Sequence, residues 1–131
     1  MKKILFLLNF FFIFLTNLNS SEPKLEEIFK GLNSPWSFSF LNEQNIIITE
    51  KKGNFIKLNL IDKTIKNINH NLNVYEDGQG GLLDVLYDKG IIYTSYSENR
   101  GNGKSSTSVA RARLSNEKLN FKNIFRAEPP I

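Results

Sequence analysis

From residue 36 onward the chain is a series of short runs that alternate apolar with polar residues or are rich in β-branched ones, each cut by turn residues. This rhythm leaves little room for helices. Trp36, Phe38 and Phe40 fall on one side of an extended segment 36–41, with Ser37 and Ser39 on the other. That is the period-two signature of a half-buried strand. Residues 42–45 turn the chain into the β-branched run 46–50. Lys51-Lys52-Gly53-Asn54 reads as a hairpin turn, residues 55–60 as the next strand and 64–68 as another. Residues 25–29 read as a weaker opening strand, followed by a turn over 31–35. No ten-residue stretch beyond the N-terminal segment carries helical periodicity, so the region is all-β.

The pattern then repeats. Residues 82–87 parallel 36–41, and 91–96 parallel 46–50 across an Asp88-Lys89-Gly90 turn. Strands are also predicted over 107–114 and 119–126, with 98–106 as a mobile loop between strands. Ile47 and Ile92 are equivalent and 45 residues apart. Four strands per unit at that spacing fits β-propeller blades of roughly 40 to 50 residues. A small eight-stranded β-sandwich is the competing reading. Repeat arrays need about three units to cover their faces, and this chain has two. The expectation is therefore an N-terminal part of a longer propeller, with 127–131 reading as an inter-blade linker.

Lys2 and Lys3 precede an apolar run over 4–15 that is interrupted only by Asn9 and followed by small polar residues. A basic head, a short apolar stretch and a polar exit read as a secretory signal over residues 1–20. The run is short for a membrane span, which takes about 20 apolar residues. A periplasmic or secreted mature chain over 21–131, with no stable membrane insertion, is expected. Without Lys2 and Lys3 the net charge falls from +4 to +2, which is poor support for a nucleic-acid partner. The chain has no cysteine, so disulfides and thiolate metal sites are excluded.

One turn stands out chemically: Asp77-Gly78-Gln79-Gly80-Gly81-Leu82-Leu83-Asp84. Its glycines permit positive φ and close approach of the backbone to a neighbour. It is not a dinucleotide fingerprint, because Leu83 occupies the third glycine position and no helix follows. Asp77 is expected to brace the turn by accepting from backbone N–H groups. His70, the only histidine, lies in an Asn-rich linker and matches no catalytic position. Arg111 and Arg113 share one strand face, with Ala110 and Ala112 on the other, suited to close packing. Trp36 reads as a core residue. One histidine and no cysteine leave only scattered carboxylates, so no metal site is assigned.

Several of these segments together resemble the soluble glucose/sorbosone dehydrogenases, which include PQQ-dependent aldose sugar dehydrogenases. The resemblance rests on Gly31-Leu32-x-x-Pro35-Trp36-Ser37-Phe38, Ile48-Thr49-Glu50-Lys51-x-Gly53 and the 77–85 turn. Tyr93-x-Ser95-Tyr96-Ser97, Thr107-x-Val109-Ala110-Arg111-Ala112-Arg113-Leu114 and Ile124-Phe125-Arg126 continue it. It implies the first two four-stranded blades of a six-bladed β-propeller, with pyrroloquinoline quinone (PQQ) and calcium as cofactors. The implied reaction oxidises the C1 hydroxyl of an aldose sugar to the lactone, with a histidine as general base. Gln79 is the one substrate-binding residue carried over, since a carboxamide both donates to and accepts from sugar hydroxyls. The family's His-x-Gly-x-Arg-type motif would follow Arg126 and is not in this sequence, so no catalytic or cofactor-binding residue is assigned and the chain alone is expected to be inactive. The electron acceptor is not assigned either. The competing function is a non-catalytic secreted propeller or carbohydrate-binding module.

Overall fold

The structure is a computed structural model that describes residues 22–116 and 118–131. The expected signal segment 1–20 lies outside the described residues. Two antiparallel meanders account for the fold. In the first, β1 (Pro35–Phe40), β2 (Asn45–Glu50), β3 (Asn54–Asn59) and β4 (Ile65–His70) lie side by side in chain order. In the second, β5 (Leu82–Asp88), β6 (Ile91–Gly101) and β7 (Lys104–Arg113) are joined by β9 (Lys122–Arg126). The intervening β8 (Lys118–Leu119) pairs in parallel with β4 and gives the first sheet a fifth strand. No helix occurs among the described residues, so the all-β expectation holds.

The inner faces of the sheets form one apolar core. Ile47, Phe55 and Ile68 of the first sheet meet Leu82, Val85, Ile92, Tyr96, Ala110 and Ala112 of the second. Ile47 and Ile92, the residues that set the repeat, occupy the second strand of each sheet and are both fully buried. The small face of β7 packs inward as expected, with Arg111 and Arg113 exposed. Leu119 and Phe121 enter from the β7–β9 connection, and Phe121 stacks on Phe55 with ring centroids 5.2 Å apart. This insertion explains why residues 119–126 are not the single strand expected. The chain leaves the second sheet to bury Leu119 and Phe121, pairs briefly with β4, and only then returns as β9.

Three further expectations are corrected. Residues 25–29 form no strand; Phe29 and Leu32 instead lie against the outer face of the first sheet, on Ile46, Ile48, Ile56 and Leu58. Residues 98–106 are not a loop, because Glu98 pairs with Ser106 and Asn99 with Ser105 in a long β6–β7 hairpin. Its polar composition reflects a solvated ribbon whose turn needs positive φ at Gly101, Asn102 and Gly103. Finally, Trp36 is not a core residue: it lies with Phe38 and Phe40 on the side of β1 away from the second sheet, and the three are about half exposed, at 47%, 58% and 58%. The serine side of β1 is the one turned toward the second sheet.

That inversion has a clear cause. β5 is the edge strand of its sheet, and its free edge lies against β1 and β2. The Tyr87 N–H donates to Ser39 Oγ at 2.9 Å, and Thr49 Oγ1 donates to the Leu83 carbonyl at 2.6 Å. Ser37 Oγ donates to Asp84 Oδ1, which also accepts from the Val85 N–H at 2.9 Å. An edge strand with open polar groups invites misassociation. Here hydroxyls of the first sheet occupy those groups.

Candidate functional site

The glycine turn sits between β4 and β5, where the chain crosses from one sheet to the other. Val74 bridges to Glu98, the Tyr75 N–H donates to the Ser97 carbonyl at 2.8 Å, and the Asn99 N–H donates to the Asn73 carbonyl at 2.9 Å. The approach to the turn is thus held along β6. The turn closes with the Gly80 N–H donating to the Asp77 carbonyl at 2.6 Å. This corrects the role expected for Asp77: its main-chain carbonyl, not its carboxylate, braces the turn. Gly78 and Gly81 take φ values of +50° and +148°, a region in which L side chains are strained.

The glycines make the close approach anticipated, and the structure identifies what they approach. A Cβ on Gly81 would lie 2.8 Å from Lys51 Cγ and would also collide with the Lys51 carbonyl oxygen. A Cβ on Gly80 would lie 2.9 Å from Ser97 Oγ. The Leu82 N–H donates to the Lys51 carbonyl at 2.9 Å, and the Ser97 N–H donates to the Gly81 carbonyl at 2.8 Å. Lys51 Nζ donates to the Gly78 carbonyl. The turn is therefore gripped by the β2–β3 hairpin on one side and by β6 on the other. Lys51 and Ser97 entered the sequence reading only as members of the hairpin-turn and resemblance motifs, with no contact to this turn assigned, although the Gly80-Gly81 pair signalled that something packs there.

Gln79, the expected substrate-binding residue, stands at the tip of this turn. It is exposed, and its carboxamide has no hydrogen-bond partner among the described residues. Both the donor and the acceptor remain available to a ligand, on a backbone fixed at both flanks. His70 serves the scaffold instead: one ring nitrogen meets the Gly53 carbonyl at 2.6 Å and the other accepts from the Leu72 N–H at 3.1 Å. Its ring stands edge-on to Phe55. Glu50, almost fully buried, accepts from the Asn33 N–H at 2.5 Å and from Asn54 Nδ2 at 2.8 Å, tying the 31–35 turn to the β2–β3 hairpin.

A second polar cluster spans β6, β7 and β9. Arg126 grips Glu98 through two nitrogens, Nε at 2.7 Å and Nη2 at 2.5 Å. Ser108 Oγ and Asn123 Nδ2 also donate to Glu98, at 2.7 and 3.1 Å. Burial works to raise the Glu98 carboxyl pKa, but the bonds from Arg126 and Ser108 and the nearby Arg126 and Arg100 charges outweigh it and hold it below the ordinary value. Burial raises the pKa of Tyr96, which donates to Asn123 Oδ1 at 2.9 Å. Arg100 bonds to Ser106 Oγ at 2.9 Å and Glu128 Oε1 at 2.6 Å. These groups satisfy one another and fasten β9 to the long hairpin. Among the described residues, no group of three His, Cys, Asp or Glu side chains is placed to hold a metal ion.

A sequence model of the glucose/sorbosone dehydrogenases matches residues 32–131. The aldose sugar dehydrogenase YliI of Escherichia coli K12 is 29% identical over 109 residues, covering 76% of this chain and 29% of YliI. A solved structure described as a glucose dehydrogenase is 38% identical with a TM-score of 0.76, over 83% of this chain and 34% of that one. The PQQ-bound aldose sugar dehydrogenase of Streptomyces coelicolor shares the fold, with a TM-score of 0.64 at 18% identity over 80% of this chain and 34% of that one. The chain spans about a third of the length of these relatives.

Proposed function

This chain belongs to the glucose/sorbosone dehydrogenase family, and we propose that it supplies the first two blades of a six-bladed, PQQ-dependent dehydrogenase that oxidises the C1 hydroxyl of aldose sugars to lactones. The observation that carries the proposal is the presentation of Gln79. Its carboxamide has no partner among the described residues, at the tip of a turn pinned to both sheets, and a hydroxyl-rich ligand can both donate to it and accept from it. A turn fixed before binding spends little of the interaction energy on ordering. In this reading Gln79 orients the sugar and takes no part in proton or hydride transfer.

The described residues do not by themselves fit a site for PQQ and calcium. No carboxylate cluster is assembled for the ion, and two of the arginines beside the long hairpin are already committed, Arg126 to Glu98 and Arg100 to Glu128. Quinone, calcium and general base would be supplied from outside these residues. A periplasmic or secreted location is part of the proposal and rests on the basic-apolar-polar order of residues 2–21. No helix among the described residues is long and apolar enough to cross a membrane.

The test is reconstitution of the complete protein with PQQ and calcium, followed by aldose oxidation with a dye acceptor. Gln79→Ala should raise KM for the sugar by about tenfold, the effect of losing one or two hydrogen bonds to a neutral ligand. No oxidation by the reconstituted unmutated protein across a panel of aldoses would favour a non-catalytic carbohydrate-binding propeller instead.

A further inference from the structure

The contact between Lys51 and the glycine turn is not explained by the fold alone. Lys51 follows the last residue of β2, where a hairpin needs only a polar turn residue, and its neighbour Lys52 meets that need while remaining exposed. Lys51 is half-buried and anchored at three points. Its N–H donates to the Ser34 carbonyl at 3.0 Å, its carbonyl accepts from the Leu82 N–H at 2.9 Å, and its ammonium reaches the Gly78 carbonyl. The main chain of Lys51 therefore holds the exit of the turn at Gly81 and Leu82, while its side chain holds the entry at Gly78. Gln79 lies between the two attachments. Gly78 and Gly81 are both in the positive-φ region, where glycine offers the least local resistance to movement. The restraint on the turn must come from outside it, and Lys51 supplies a large share.

We propose that Lys51 is the positioning residue of the Gln79 turn, fixing the orientation of the carboxamide offered to a saccharide through its bond to the Gly78 carbonyl. This rests on the sugar-contact reading of Gln79. Lys51 touches neither sugar nor cofactor in this account; it acts on binding by keeping the turn closed.

The experiment compares Lys51→Met, Lys51→Arg and a Lys52→Met control in the complete protein. Lys51→Met keeps the apolar stem against Gly81 and removes the donor, whereas Lys51→Arg restores one. Two readouts are taken: hydrogen exchange of the Gly80 amide, which closes the turn onto Asp77, and the KM and kcat for an aldose. Lys51→Met should speed Gly80 exchange by about tenfold and raise KM about three- to tenfold with kcat nearly unchanged, in line with losing one charge-assisted hydrogen bond. Lys51→Arg should recover most of both effects, and Lys52→Met should show neither. Unchanged Gly80 exchange in Lys51→Met overturns the proposal, as does faster exchange with an unmoved KM while Gln79→Ala raises KM. If Gln79→Ala leaves KM unchanged, the sugar-contact reading itself fails. The exchange readout still reports independently on whether Lys51 holds the turn.

Discussion

Glu98 shows how much a single side chain carries in this fold. Its carboxylate accepts from Arg126, Ser108 and Asn123, residues on β9 and β7, while its own strand pairs with Ser106. The bonds and charges of the arginines keep its pKa depressed in the folded state despite burial. A group with a depressed folded pKa adds stability that is present above its unfolded value, about 4.3. That contribution is lost as pH falls through the folded value. Glu98→Gln should therefore lower stability by about 1–2 kcal/mol near neutral pH. Thermal melts at a series of pH values should show this gap closing as pH falls below about 4. A gap that stayed constant down to strongly acidic pH would show that the carboxylate charge contributes nothing. Little of this cluster was legible in advance: the partners are 10 and more residues apart, and the long hairpin that gathers them read as a loop.

At the scale of strands, the seam between β1 and β5 decides how the sheets meet. β1 turns its aromatic side outward and its serine side toward β5, where Ser39 accepts from the Tyr87 N–H and, beside it, Thr49 of β2 donates to the Leu83 carbonyl. Ser39→Ala leaves the Tyr87 N–H without its partner and should cost about 1 kcal/mol, with faster exchange of the Tyr87 amide. Ser37→Ala should do less to Val85, because Asp84 Oδ1 also accepts from that N–H at 2.9 Å. Equal acceleration at Tyr87 and Val85 in the two variants would contradict this account. The period-two pattern of 36–41 revealed the strand and its two faces but not which face was inner. Periodicity records that two faces differ, whereas the inner one is chosen by the neighbouring strand's unpaired groups. The 45-residue repeat was legible because Ile47 and Ile92 are both core residues in equivalent strands. The break between β8 and β9 was not, because it depends on a gap that only Leu119 and Phe121, packed against Phe55, reveal.

For the whole molecule, the two sheets bury each other's inner faces and leave apolar side chains exposed on their outer faces. On the first sheet, Trp36, Phe38 and Phe40 join Ile46, Ile48 and Leu58 around an open trough of about 510 Å³. On the second, Leu86 and Phe125 are exposed on the side away from the core, at 58% and 55%. Apolar faces of this kind mark surfaces meant to be covered. In a propeller each blade covers its neighbour in this way, and under the proposed function these sheets would be covered likewise. Residues 22–131 made as a separate polypeptide should therefore self-associate with rising concentration in sedimentation velocity. Phe38→Ser with Phe40→Ser should reduce that association without disturbing the inner core, because both rings point away from Ile47 and Val85. Sedimentation as a monomer at high micromolar concentration, with a cooperative thermal melt, would show that two sheets suffice and that the exposed aromatics are not a docking face. Association that persisted unchanged in the double variant would move the contact to the Leu86 and Phe125 side, and Phe125→Ser would then be the variant that abolishes it.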